Sequence, residues 1–377
     1  MVRRSSRRIR CLDRISPVSP TALRRQIGQL VIAGFNGHQV PQELRSIARE
    51  FSLGGIVFFA RNVADPEQVA EVAFDASRLV PDLPLWVSVD QEGGRVARLK
   101  SPFTEWPPMA TLGRSGDERL AERFAKALAS ELKAVGINLD FAPVLDILTN
   151  PANPVIGDRA LAGKAEEVAR LGVTIIRALQ GEGIAACGKH FPGHGDTSTD
   201  SHEVLPVVEH DRRRLDAVEL IPFKAAIAEN VATIMTAHVL VPALDKQQPA
   251  SLSTTITTNL LKQTLGFKGV VICDDLGMKA VSATMSLAEA SVDAIAAGAD
   301  AVLLCNSTAE EQMVALEALI RAAESGRLKE SRIDDAFARQ RFIKEQFATP
   351  SRPAPVDIKV VGCAEHQAVA EQMAAFR

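Results

Sequence analysis

The densest chemistry in the 377-residue chain lies in Lys189–His202, KHFPGHGDTSTDSH, where three of the seven histidines share one Gly-containing segment. Two chemistries suit it. His190, His194, Asp196, Asp200 and His202 are residue types that ligate zinc or iron at short spacing. They also suit an acid/base and substrate-gripping set on a mobile loop. The metal reading lacks its companions: Phe35-Asn36-Gly37-His38, after the first strand candidate, holds no His-x-His pair, and no His-Glu-x-x-His occurs. No metal site and no cofactor are therefore expected. In Asp200-x-His202 an extended backbone sends both side chains to one side, so the carboxylate can accept from one imidazole nitrogen and raise the basicity of the other.

That chemistry still needs a nucleophile. No G-x-S-x-G elbow is present, and Asp274, closing the apolar run Gly269–Cys273, is the best carboxylate candidate. Its competing role is to cap a helix beginning near Met278. Asp275 is equally acidic, but strand alternation sends neighbours to opposite faces, so only one of the two should face a site. A further cluster, Asp90-Gln91-Glu92-Gly93-Gly94-Arg95-Val96-Ala97-Arg98, reads either as a polar clamp for hydroxyls or as a solvated turn with surface ion pairs.

These groups need elements to position them. Eight β-branched or apolar runs qualify as strands: 29–35, 55–59, 85–90, 138–144, 185–190, 232–238, 270–274 and 301–305. Between them lie stretches of helical period, such as Leu120, Phe124, Leu128 and Leu132 within 117–135, and Val168, Leu171, Ile175 and Leu179 within 164–181. Eight strand–helix units over roughly 320 residues predict a single-domain α/β (β/α)8 TIM barrel rather than a doubly wound sheet. The expected organisation is a disordered basic extension over 1–18, a barrel over 19–347, and a Pro-containing linker with a short tail helix over 348–377. A barrel works at the carboxyl ends of its strands. There the sequence places Asp90, Asp146, Lys189-His190, His238, Asp274-Asp275 and Asn306, while the strand bodies stay apolar.

Composition bounds the partners. With 46% hydrophobic and 24% charged residues the chain is neither disordered nor a disulfide scaffold, and no window nears the ~18 consecutive apolar residues of a membrane span. The net charge of −3 gives no case for a nucleic-acid partner. Six of the first fourteen residues are Arg, but Pro17, Pro20, Arg24 and Arg25 interrupt the stretch beyond them, so no secretory apolar segment forms. Cys187, Cys273 and Cys305 sit in apolar runs and no C-x-x-C occurs, which suggests a reducing compartment. Tyr is absent and Trp numbers two, so a pocket for one terminal sugar fits better than a stacking platform for a polysaccharide.

The strings KHFPGHGDTSTDSH at 189–202, VDQEGGRVARL at 89–99 and VVICDDLGM at 270–278 together resemble the family 3 glycoside hydrolases. The likeness covers about residues 20–345 and is nearest the single-domain bacterial β-N-acetylhexosaminidases of peptidoglycan recycling. It implies a (β/α)8 barrel with Asp274 as nucleophile, His202 as general acid/base and Asp200 as its orienting partner. Asp90, Arg98, Lys189, His190 and Arg159, the last in NPVIGDR, would grip a terminal GlcNAc. The implied activity is retaining, metal-independent exo-hydrolysis of GlcNAc-anhydroMurNAc muropeptides by a cytoplasmic monomer that binds neither nucleic acid nor membrane. A His acid departs from the usual carboxylate pair, and it avoids like-charge repulsion with the nucleophile. Cys273 and Gly277 stand where the family pattern has Ser or Thr and Ser. Alternatives are a β-glucosidase, a phosphorolytic N-acetylglucosaminidase, or a non-catalytic sugar binder, which should have lost Asp274 or His202. The 195–202 loop is expected to be among the more mobile segments.

Overall fold

In a computed structural model of the chain, which describes residues 20–80, 83–348 and 358–377, the eight apolar runs form eight parallel strands. They are β1 (Val31–Gly34), β2 (Gly55–Phe58), β3 (Trp86–Val89), β4 (Leu139–Asp140), β5 (Ala185–Phe191), β6 (Thr233–Thr236), β7 (Val270–Cys273) and β8 (Ala301–Leu304). Each pairs with its neighbours in sequence, and β8 returns to β1 with Val302 opposite Val31 and Leu304 opposite Ala33, closing a (β/α)8 barrel. β4 is shorter than the run 138–144 predicts, because Pro143 has no N–H to donate. The chain still follows its neighbours there, with the Phe141 N–H on the Val89 carbonyl and the Cys187 N–H on that of Ala142.

Side-chain alternation splits each strand between two cores. Ile32, Val57, Trp86, Leu139, Ala185, Cys187, Val270, Ile272, Ala301 and Leu303 fill the barrel interior. Val31, Ala33, Ile56, Phe58, Val271, Cys273, Val302 and Leu304 face outward into the layer shared with the helices. The two stripes predicted from helical period are buried on Glu118–Ala134 and Ala165–Gly181. Burying one Leu or Phe is worth about 1.5–3 kcal/mol, against about 0–1 kcal/mol for a surface ion pair. The outer layer therefore rests on these stripes and not on the charged face.

The amino end of the barrel is plugged by helix Glu330–Phe347. Gln340 accepts from the Trp86 indole at 2.8 Å, and Lys344 Nζ donates to Gln29 Oε1 at 2.7 Å and the Gly54 carbonyl at 2.6 Å. Burial holds the Lys344 ammonium well below the usual lysine range. With this end filled, the carboxyl end alone is open to chemistry. A final helix, Ala364–Ala374, lies against Glu118–Ala134 with Val369 and Met373 buried, and His366 Nδ1 meets Glu131 Oε1 at 2.8 Å. The predicted extension over 1–18 and residues 349–357 of the predicted linker lie outside the described residues. Among those described, no helix is long and apolar enough to cross a membrane.

Candidate active site

Strand parity selects the side chains that reach the open end. Trp86 points into the barrel from β3, so Asp90, four residues on, has the same inward parity; Cys187 does the same for Lys189 and Ile272 for Asp274. All three line one cleft of about 430 Å3 at the carboxyl end of the barrel. Arg98, Arg159, His190, Asp200 and His202 line the same cleft, so the eight residues singled out by the family resemblance meet there, while Asp146, Asp196 and His238 lie outside its lining. Asp275 has outward parity. Its carboxylate accepts from the Cys305 N–H at 3.0 Å and the Gly277 N–H at 3.2 Å, tying the end of β7 to that of β8. The helix after it, Lys279–Ser282, has no side-chain cap, so Asp274 is free of the capping role.

One side of the cleft is a lattice of buried charges. Lys189 Nζ lies 2.7 Å from both Asp90 Oδ1 and Glu92 Oε1. Glu92 in turn accepts a two-pronged pair from Arg159, Nε at 2.8 Å and Nη2 at 2.7 Å. Burial alone would raise the Glu92 carboxyl, but Arg159 and Lys189 overcome it and hold it well below the usual range. Asp90 and Glu92 likewise hold Lys189 charged although it is 1% exposed. Arg98 Nη2 reaches Asp90 Oδ2 at 3.4 Å and lies over the Phe59 ring. The 89–99 segment thus folds as a small hairpin of Gln91–Gly93 with Val96–Ala97 that carries these buried charges. Its surface alternative survives only in the exposed Arg95–Asp158 pair.

Sequence reasoning gave no supporting role to three residues that hold this set. Glu92 is the hub of the charge lattice; a carboxylate directly before two glycines gave no sign of burial. Asp146 receives His190 Nδ1 at 2.6 Å and the backbone N–H of His194 at 2.7 Å, which leaves His190 Nε2 facing Arg159 at 3.5 Å. Its place after the fourth strand was the available signal. Asn153 orders the Arg159 loop: its Oδ1 accepts from the Val155 and Ile156 N–H groups, and its Nδ2 donates to the His194 carbonyl at 2.8 Å.

The side around Asp274 is sparser. Asp275 N–H donates to Asp274 Oδ1 at 2.8 Å. Burial would push the Asp274 carboxyl up, but His238, His190 and that N–H hold it below the usual range, ionised at neutral pH. His238 is itself fixed by Ser251 at 2.7 Å and the Asp275 carbonyl at 3.0 Å. On the opposite loop, His202 Nδ1 meets Asp200 Oδ1 at 2.8 Å. Partial desolvation would raise the Asp200 carboxyl, yet His202, through its backbone N–H and its ring, keeps it below its ordinary value. The His202 side chain is 64% exposed, and its Nε2 has no partner among the described residues.

That loop is pinned before the pair and between its two members. His194 Nδ1 meets Thr197 Oγ1 at 2.8 Å and its Nε2 meets Ser201 Oγ at 3.1 Å, and burial lowers its pKa to about 4, so the ring is neutral. With both nitrogens engaged it offers no lone pair to a metal. Among the described residues, no group of three or more His, Cys, Asp or Glu is arranged to hold a metal ion.

The family model for the glycosyl hydrolase family 3 N terminal domain matches residues 22–341, a span that holds every residue of this cleft. Beta-hexosaminidase A of Pseudoalteromonas piscicida is 33% identical over 89% of this chain, which spans 60% of that relative's length. The glycoside hydrolase family 3 beta-N-acetylglucosaminidase of Paenibacillus sp. str. FPU-7 superposes with a TM-score of 0.88 and 44% identity, covering 94% of this chain and 68% of that one. NagZ from Neisseria gonorrhoeae, in complex with N-trifluoroacetyl-D-glucosamine, superposes with a TM-score of 0.76 and 31% identity, covering 92% and 97%.

Proposed function

The chain belongs to glycosyl hydrolase family 3, and on that premise we propose that it is a retaining exo-β-N-acetylglucosaminidase. The observation that carries the reading is the meeting, around one cleft, of an ionised inward carboxylate, Asp274, and an Asp200–His202 pair on a separate loop. Asp90, Arg98, Lys189, His190 and Arg159 hold the hydroxyls and acetamido group of one terminal sugar. A sugar of that kind, N-trifluoroacetyl-D-glucosamine, is bound in the Neisseria gonorrhoeae relative.

The Asp274 carboxylate attacks the anomeric carbon while the bond to the leaving oxygen breaks, and His202 gives its Nε2 proton to that oxygen. A covalent glycosyl-aspartate results. His202, now neutral, takes a proton from water as the water oxygen attacks the same carbon and Asp274 departs, so the anomeric configuration is retained. Asp200 fixes the ring by accepting from Nδ1 and stabilises the imidazolium. The natural substrate in this reading is GlcNAc-anhydroMurNAc muropeptide. Free thiols at Cys187, Cys273, Cys305 and Cys363 suit a reducing cytoplasm.

The test is the initial rate of p-nitrophenol release from the β-GlcNAc glycoside beside the β-glucoside, each with and without EDTA and phosphate. A GlcNAc preference indifferent to EDTA and phosphate is expected. Glucoside preference, loss of activity in EDTA, or a GlcNAc 1-phosphate product would each replace the reading. Asp274→Ala should lower turnover by roughly a thousandfold or more, and a near-native rate would exclude Asp274 as nucleophile.

A further inference from the structure

Helix Glu118–Ala134 buries Leu, Phe and Ala side chains and one charge, Glu131, which is 2% exposed. Four donors meet that carboxylate. Thr104 gives its backbone N–H to Oε2 at 3.0 Å and its hydroxyl to Oε1 at 2.6 Å, and from the last segment of the chain the Gly362 N–H and His366 Nδ1 reach Oε1 at 2.9 Å and 2.8 Å. An apolar side chain would fill this space at a lower desolvation cost, so what the carboxylate contributes is a fixed geometry. It ties the segment 358–377 to the stretch of chain that follows Arg98.

That stretch supports the charge lattice of the cleft from behind. Trp106 packs edge-to-face on Phe124 of the same helix, ring centroids 5.1 Å apart, and its carbonyl accepts from the Gly94 N–H at 2.8 Å. Gly93, next to Glu92, lies so close that a Cβ there would stand 2.8 Å from the Pro107 carbonyl oxygen. A second route reaches Arg159. The tail helix Ala364–Ala374 packs on the short helix Ala110–Ser115, where Arg114 donates to the Phe376 carbonyl. Gly113 of that short helix presses on the backbone of Leu161, two residues beyond Arg159, with no room for a Cβ between them. The tail therefore backs both partners of the Glu92–Arg159 pair from outside the barrel, while none of its own residues lines the cleft.

We propose that the 358–377 segment, acting through Glu131, is a positioning brace for the lattice that grips the terminal sugar, and that it sets affinity for that sugar without taking part in bond breaking. The proposal rests on the exo-N-acetylglucosaminidase reading. It is tested in the full chain with Glu131→Gln, His366→Ala and Gly362→Ala, the last because a Cβ at 362 would meet the Pro102 carbonyl oxygen at 2.0 Å. With p-nitrophenyl β-GlcNAc each variant is expected to raise KM by roughly threefold to tenfold while kcat stays within about twofold of wild type. The pH limbs should not move, and amide exchange over 89–99 should quicken in parallel. Leu319→Ala, in helix Ala309–Glu324, is the control: it loses core packing and lowers the melting temperature, and its KM should stay at the wild-type value. Should Glu131→Gln fail to fold, the His366 and Gly362 variants, which leave the carboxylate in place, carry the test. An unchanged KM, a fall in kcat alone, a rise in KM that Leu319→Ala matches at equal loss of melting temperature, or failure of all three variants to fold overturns the brace and leaves the hydrolase reading intact. Wild-type protein that cleaves no GlcNAc glycoside is instead the failure of the underlying reading.

Discussion

Asp274 and Asp275 are adjacent and chemically identical, yet the barrel gives them opposite tasks. Parity aims Asp274 into the cleft, whereas Asp275, at the cleft's border, engages the backbone N–H groups of Gly277 and Cys305. Burial and the neighbouring Asp274 charge raise the Asp275 carboxyl, whereas the imidazoles and N–H around Asp274 lower it. Environment, not residue type, sets the two carboxylates apart. The same logic yields a prediction for Asp200→Asn. Removing the charge that steadies the His202 imidazolium should move the alkaline limb of the kcat/KM profile to lower pH, with little change in KM; an unmoved limb would assign the acid role elsewhere. For Glu92→Gln, the buried Arg159 loses its carboxylate partner and Lys189 keeps only Asp90. Leaving a buried cation uncompensated costs about 3 kcal/mol. A melting temperature several degrees below wild type is expected, together with a raised KM, and thermal unfolding followed beside kinetics reads both.

Among the elements, the loop after β5 divides its work. Thr197 and Ser201 are buried and held by His194, while Asp200 and His202 between and beyond them reach solvent. A neutral His194 bridging two hydroxyls is a hinge pin for this turn, since it fixes the turn's base without touching the cleft's reacting atoms. We expect amide hydrogen exchange over 195–202 to be faster than in β5 and to slow when a GlcNAc analogue is bound. His194→Ala should quicken exchange across the same residues and lower kcat more than it alters KM, because the acid is then less often in place. Exchange in the variant indistinguishable from wild type would remove His194 from that role.

Across the whole molecule, one buried carboxyl runs against the trend of its neighbours. Asp140, at the end of β4, accepts from the Gln91 N–H at 3.0 Å through Oδ1, while Oδ2 has no hydrogen-bond partner among the described residues. Burial pushes its pKa to about 7, above the unfolded value of about 3.9. The folded state therefore binds the extra proton, and the stabilisation is fully present below about pH 4 and lost as pH rises through 7. His194, with a folded value of about 4 against about 6.5 unfolded, acts in the opposite sense below about pH 6.5, so the informative quantity is a difference. Relative to wild type, Asp140→Asn should gain melting temperature between pH 5 and pH 8. A parallel pair of pH curves would show that Asp140 is ionised throughout.

Much of this was legible in the chain alone. Apolar runs of strand length, separated by helical stripes, specify eight repeats because burial of one face is a local, periodic demand on sequence. The polar residues that end those runs, together with three motif strings and the segment NPVIGDR that holds Arg159, supply the candidate set, since a barrel places its chemistry where its strands stop. What sequence did not reveal were the partners of those residues. That Glu92 is a buried hub, that Asp146 orients His190, and that Ser201 docks on Ala280 are contacts across 97, 44 and 79 positions of chain. Hydrophobic period carries no information about which distant carboxylate meets which cation. Closure of the barrel alone brings them within hydrogen-bonding distance, and the low polarity of the space it encloses then decides which of them stay charged.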